Sequence, residues 1–229
     1  MTSQAFRVME DRLEEVRILS RSDPIKRDVQ SSELTLSRAV NRACVLLLSA
    51  HLEGYVEDVT VEALDCLLSL TACVDNLPLL LRSVHAEDHL LALEQVRDRN
   101  VRASQIRDLI ASEMDLWSKG NRLRVGMLRS RAVCKQMNNP GSREIRKFLE
   151  LLGIDIRGWL VQTQEQDLLG RTDSLVARRN AIAHGEVSAS VTHLDVESFL
   201  QTIEALAQAI DAAMADAVMH ICQSTSRPW

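Results

Sequence analysis

The chain has five cysteines, at 44, 66, 73, 134 and 222, an odd number with no C-x-x-C pair. That spacing gives neither a disulfide framework nor a thiolate zinc site, so reduced and mostly buried thiols in a cytoplasmic protein are expected. Aromatic residues are scarce, 3% of 229 positions, which argues against a platform of side chains for stacking bases. Only 8 glycines and 4 prolines punctuate the sequence. It holds no Gly-rich phosphate loop, no Gly-x-Ser-x-Gly elbow and no internal repeat. A basic stretch leading into an apolar run is missing near Met1, and the densest apolar run, Ala43 to Leu48, is too short to span a bilayer. Neither export nor membrane insertion is expected.

What remains is Leu, Ala and charge at helical spacing, so the expected fold class is all-α, without strands. A chain of this length can bury one sizeable core. The expectation is one domain over 1–229, a helical bundle with a long central helix and a basic helical lobe inserted at about 97–147. Phe6, Met9, Leu13, Val16 and Leu19 mark a first amphipathic helix over 4–20, interrupted at Asp23-Pro24. Ser31 or Ser32 should cap a spine from Glu33 to about Leu70, with Gly54 a kink site. After the turn Asp75-Asn76-Leu77-Pro78, helices are expected over Leu79–Asp98, Val101–Trp117 and Arg122–Met137. A loop at Asn138-Asn139-Pro140-Gly141 precedes a helix from Ser142 to Ile154, then a loose stretch from Trp159 to Gly170. Thr192 with Asp195 reads as a capping box for a last helix, His193 to Cys222, and the final Ser-Thr-Ser-Arg-Pro-Trp as frayed.

The formal net charge of −5 is unevenly spread. Between Arg97 and Lys147 stand 13 Lys/Arg and 5 Asp/Glu, a local +8, which leaves −13 elsewhere. Such a segment can draw a polyanion to one side of an acidic body, or it can be a salt-bridged lobe packed against that body. In the first case Arg122, Arg124, Arg129 and Arg131, with Arg178 beyond the lobe, are the candidate RNA-binding residues, touching phosphates with little sequence selectivity. His85 and His89 stand four apart, a spacing that can hold zinc, but no third ligand accompanies them and a surface pair is favoured. No metal and no cofactor are expected.

The chemistry concentrates in Arg178-Arg179-Asn180-Ala181-Ile182-Ala183-His184-Gly185. Thr172-Asp173-Ser174 supplies an N-cap and Gly185 a natural C′ residue, so a short helix ends at the histidine. Asn180 and His184 share a face, and Arg179 lies roughly 140° away, an offset that suits a loosened helix end. Imidazole titrates near neutrality and can move a proton, while a guanidinium holds phosphate oxygens through a rigid fork. The pair suits metal-free cleavage of RNA, in which a 2′-hydroxyl attacks its own phosphate and leaves a 2′,3′-cyclic phosphate. The alternative is structural: a histidine in a last turn is favoured by the helix dipole, beside solvated arginines. Glu53 and Glu57, where the spine turns polar, are candidate carboxylates to orient the pair.

Arg179-Asn180-Ala181-Ile182-Ala183-His184 resembles the R-x4-H motif of the HEPN superfamily, in the form with Asn after Arg. The spine segment Leu48 to Glu57 and the run Ser142 to Ile154 resemble helices of the RiboL-PSP type of HEPN protein, in the same order. The likeness covers most of residues 30 to 220. It implies a helical bundle, a homodimer that joins two motifs in one cleft, and metal-independent endoribonuclease activity on an RNA substrate, in toxin or antiviral defence. A cognate antitoxin or another defence-system partner would accompany such a role. Carried over, Arg179 binds and polarises the phosphate, His184 handles the proton and Asn180 supports their geometry. Since some HEPN proteins are non-catalytic, a helical module for dimerisation or for binding RNA or nucleotides is the alternative.

Overall fold

The computed structural model describes residues 2–22, 31–135, 137, 139–186 and 190–229. Among these, nine α-helices and one 3-10 turn are present, with no strand. In order they are α1 (Gln4–Arg21), α2 (Ser31–Ser69), the 3-10 turn Val74–Asn76, α3 (Leu79–Gln95), α4 (Arg99–Trp117), α5 (Ser130–Cys134), α6 (Ser142–Glu150), α7 (Ile156–Gln162), α8 (Leu168–Ala183) and α9 (His193–Cys222). The break at Asp23-Pro24, the capping side chains of Ser31 and Ser32, and Asn138 lie outside the described residues.

Helix α2 is the spine against which α1, α8, α9 and α5 pack. Cys44, Val45, Leu48, Leu52, Tyr55, Val56, Val59, Ala63, Leu64 and Leu67 recur every three or four residues along it and are sealed from solvent. Each fully buried leucine or valine contributes about 1.5–3 kcal/mol. From α1, Phe6, Met9, Leu13 and Val16 complete the layer, and the Phe6 ring meets Tyr55 edge-on at 6.3 Å. The Tyr55 hydroxyl, which would be costly to bury unpaired, donates to the Ala207 carbonyl of α9 at 2.8 Å. The free N–H groups at the start of α1 also find acceptors across the bundle: Glu62 accepts from Gln4 and Ala5 at 2.9 and 2.8 Å. Buried Asp211 of α9 accepts from both the N–H and the hydroxyl of Ser3. Helix α9 is long and apolar enough by composition to cross a membrane, but 56% of its most apolar window is buried inside the bundle.

Gly54 does not interrupt α2. A Cβ there would stand 3.3 Å from Nη1 of the Arg12 guanidinium, which pairs with Asp58. The helix expected over Arg122–Met137 is reduced to Ser130–Cys134. Residues 121–123 lie alongside 72–74: Leu123 N–H donates to the Ala72 carbonyl at 2.8 Å and Val74 N–H to the Asn121 carbonyl at 2.9 Å. Gly120 and Gly126, both at positive φ, allow the turns on either side. Tertiary hydrogen bonds and burial of Leu123 and Leu128 thus override a helical pattern.

Three other expectations are corrected. The stretch from Trp159 to Gly170 is largely helical, in α7 and the start of α8. Thr172 does not cap a helix: it is buried one turn inside α8, its hydroxyl donating to the Leu168 carbonyl. Asp173 caps α6 instead, accepting from the N–H of Ser142 at 2.8 Å and from its hydroxyl at 2.6 Å. The C-terminal residues are tied down, with Arg227 paired to Asp216 at 2.7 Å and Trp229 packed on the core.

The two histidines of α3 do not form a surface pair. His89 approaches the Ser112 hydroxyl of α4 at 3.5 Å, whereas His85 is 1% exposed. Burial, and then the nearby Arg129 charge, hold the His85 imidazole down at about 4. In the unfolded chain it takes up a proton near pH 6.5, so between about pH 6.5 and 4 the unfolded state binds more protons and stability falls as pH falls. Thermal unfolding across that window should show a loss of the order of 3 kcal/mol by pH 4, at 1.36 kcal/mol per pH unit. His85→Leu should flatten that part of the profile, and an equally steep profile in the variant would assign the loss to other groups.

Candidate functional site

Helix α8 ends as its sequence dictates. Gly185 adopts φ +76°, its N–H donates to the Ile182 carbonyl at 3.0 Å, and the Glu186 N–H reaches back to the Ala181 carbonyl at 3.0 Å. This double closure is a Schellman motif, which satisfies carbonyls that a helix end leaves open. Leu175, Val176 and Ile182 are buried and fix the helix on the bundle. His184 takes the C-cap position with its side chain in solvent, and its N–H donates to the Asn180 carbonyl at 2.9 Å. Arg179 and Asn180 are half-buried, and the Arg179 Nη1 donates to the Asn180 side-chain oxygen at 3.0 Å. The Asn180 amide therefore holds the Arg179 guanidinium near the end of α8.

A residue that the sequence reading missed reaches this turn from the spine. The Arg42 guanidinium donates to the Ile182 carbonyl at 3.4 Å, a long bond that places a positive charge at the C-terminal end of α8. In sequence Arg42 is an isolated cation between apolar neighbours, Val40 and Ala43 to Leu48, which was its only signal.

Glu53 and Glu57 stand elsewhere. At 1.5 Å per residue they lie about 16 and 22 Å farther along α2 from Arg42, too far to orient His184. Glu57 is half-buried, and burial together with the Glu53 and Asp58 charges raises its carboxyl above the ordinary range. Its surroundings are the acidic side of the spine.

The basic residues divide. Arg122 donates to the Thr71 carbonyl at 3.2 Å, and Arg124 pairs with Asp115 at 2.6 Å. Arg129 pairs at 2.8 Å with Glu113, which is buried, and also reaches the His85 carbonyl. Arg178 closes the approach to α9 by donating to the Ser190 carbonyl at 3.0 Å. These four therefore have structural work within the chain. Arg131 stays exposed, in a cleft it shares with Arg129, Lys135, Asp88 and Ala132.

The RiboL-PSP-HEPN family model matches residues 9–216. The chain belongs to the RiboL-PSP-HEPN family. No curated protein and no solved structure matches it. Membership accords with the all-α architecture and supports a nuclease or other RNA-related role in coarse terms. In this RiboL-PSP-HEPN chain the R-x4-H residues occupy a helix end anchored by Ile182, with His184 exposed and Arg179 and Asn180 half-buried.

Gly185 is the position on which that geometry turns. A Cβ there meets no steric neighbour, so Gly185→Ala tests backbone conformation alone. It should lower stability by about 1–2 kcal/mol through the left-handed strain. Denaturant unfolding of Gly185→Ala beside His184→Gln checks this. The His184 substitution at an exposed cap should stay within about 0.5 kcal/mol.

Proposed function

We propose that this protein is a metal-independent endoribonuclease acting through Arg179, Asn180 and His184. The observation that carries the reading is the end of α8, where Arg179 is bonded to Asn180 and His184 stands exposed at the C-cap, in a family whose domains are often RNases. Arg179 would hold a phosphate oxygen and stabilise charge developing on it. His184 would take the proton of the 2′-hydroxyl as its oxygen bonds to phosphorus. The P–O5′ bond then breaks, the leaving oxygen takes a proton, and a 2′,3′-cyclic phosphate remains. A divalent ion is not needed in this scheme, because guanidinium and imidazole supply the charge and the proton transfer.

A single motif offers one imidazole where the reaction has a base step and an acid step, and a second copy would supply the other. The spine carries a face suited to that copy. Leu36, Ala39, Ala43, Leu46 and Ala50 fall on one stripe opposite the buried residues Ser37, Asn41, Cys44, Leu48 and Leu52. Leu36 and Leu46 remain 54% and 39% exposed, a costly state for an apolar seam left without a partner. Leu36 and Leu46 stand equally far on either side of Asn41, as do Ala39 and Ala43. An antiparallel pairing about Asn41 would therefore set Leu against Leu and Ala against Ala, and the small residues would allow close approach. Arg42, and with it the end of α8, would then lie beside the two-fold axis. An RNase of this kind needs restraint, which is why a toxin or defence role with a neutralising partner belongs to the proposal.

Cleavage of a mixed-sequence RNA in EDTA checks the site. His184→Ala and Arg179→Ala should each lose about 10²–10⁴-fold in rate while keeping the melting behaviour of the wild type. Equal rates in all three proteins would remove the mechanism. No cleavage by the wild type, with a lowered melting temperature for His184→Ala, would favour the non-catalytic reading. Ala43→Arg should shift the protein to monomer in sedimentation and abolish cleavage together, and a dimer that survives it would place the interface elsewhere.

A further inference from the structure

The inserted lobe has a charged cleft that the R-x4-H chemistry does not use. Asp88 of α3, Arg129, Arg131 and Ala132 around α5, and Lys135 just after it enclose about 310 Å³. Its lining holds three cations and one carboxylate, with Glu113 behind Arg129 and Glu57 and Asp58 near the adjoining Cys134, so Arg131 is the lining cation with no carboxylate bonded to it among the described residues. Arg131 is exposed. Lys135 bonds Asp88 in an exposed pair that solvent screens and a stronger anion can displace. Arg129 is held from behind, since its bonds to Glu113 and to the His85 carbonyl both run through Nη2. A guanidinium has five N–H donors, so Nη1 and Nε are the groups with which it can meet an incoming oxygen.

We infer that this cleft binds a backbone phosphate of single-stranded RNA, several nucleotides from the bond that is cut. Its position gives the spacing. Helix α5 packs on the spine where Glu57 and Asp58 act electrostatically on the Cys134 thiol, while the motif meets the same spine at Arg42. Arg42 and Glu57 are about 22 Å apart along α2 at 1.5 Å per residue, a distance that a single strand covers only with several nucleotides. Aromatic residues are few, and those cations are suited to phosphate oxygens, so this contact is blind to sequence. The inference rests on the RNase reading for its ligand, yet it can be tested without any cleavage.

The experiment measures binding of 2′-deoxy oligonucleotides, which offer no attacking hydroxyl, by fluorescence anisotropy across a salt series. The ladder runs from 2 to 12 nucleotides, with inorganic phosphate and ATP as free-phosphate competitors. The proteins are the wild type and Arg131→Gln/Lys135→Gln, which leaves the Arg129 clasp on Glu113 in place, with unfolding curves as the control for folding. The wild type should gain affinity steeply between about four and eight nucleotides. The double variant should lose that step, binding the 12-mer about 10-fold more weakly with its log–log salt slope reduced by about 1.4, at 0.7 per cation for single strands. Arg131→Lys should keep the step. Unchanged 12-mer affinity and slope in a folded double variant would overturn the inference. So would phosphate or ATP binding that the double variant loses while the 12-mer keeps its affinity, since the cleft would then serve a free anion. Loss of cleavage on His184→Ala with the length step intact leaves the cleft standing, and a length step in a protein that cleaves nothing separates failure of the RNase reading from failure of this one.

Discussion

The last turn of α8 closes through two backbone bonds, from Gly185 to Ile182 and from Glu186 to Ala181, and the place of His184 follows from that closure. The helix stops at His184, the C-cap residue before a left-handed glycine, and this residue is exposed. Arg179 and Asn180 stay on the regular part of the same turn, half-buried and bonded to each other. Ile182, buried in the middle of the motif, is what makes the end rigid, and Arg42 anchors its carbonyl from the spine.

The spine accounts for the rest of the architecture by having different neighbours along its length. Its inward stripe is continuous from Cys44 to Leu67, whereas its outward face meets α5 near Glu57 and Asp58 and stays bare around Leu36 to Ala50. The bare part is adjacent to the end of α8. Packing and proposed function therefore meet on one helix: what it buries builds the bundle, and what it leaves exposed is the face on which the proposed second copy would sit. The basic lobe adds a third region, in which several cations are spent on holding loops and Arg131 with Lys135 face outward.

The long periodic helices were legible from residues alone. Phe6 to Leu19, Cys44 to Leu67 and the capping box of Thr192 with Asp195 signal their helices through local spacing, and the helices stand where that spacing puts them. The end of α8 was legible for the same reason, because a glycine after a histidine is a local signal. What failed was decided at long range. Residues 122–129 carry a helical pattern, but hydrogen bonds to 72–74 and burial of Leu123 and Leu128 recruit them into a loop. Thr172 and Asp173 look like a cap, but α8 had already begun at Leu168, and Asp173 serves α6. His85 could not be known as buried, nor Glu53 and Glu57 as remote from the motif, because depth and distance along a packed helix depend on partners that sequence spacing does not name. Arg42 was overlooked because only its partner, a carbonyl 140 residues later, gives it meaning.

The central claim is chemical: the attacking group is the neighbouring 2′-hydroxyl, and two side chains without a metal ion suffice to direct it. The most direct measurement uses deoxy oligonucleotides that each contain a single ribose, one for each base, incubated with the protein in EDTA and resolved by mass spectrometry. The account predicts one cut, immediately 3′ of the ribose, leaving a 2′,3′-cyclic phosphate on one fragment and a free 5′-hydroxyl on the other. Cuts at deoxy linkages, or a cut that appears only when a divalent ion is restored, would contradict it.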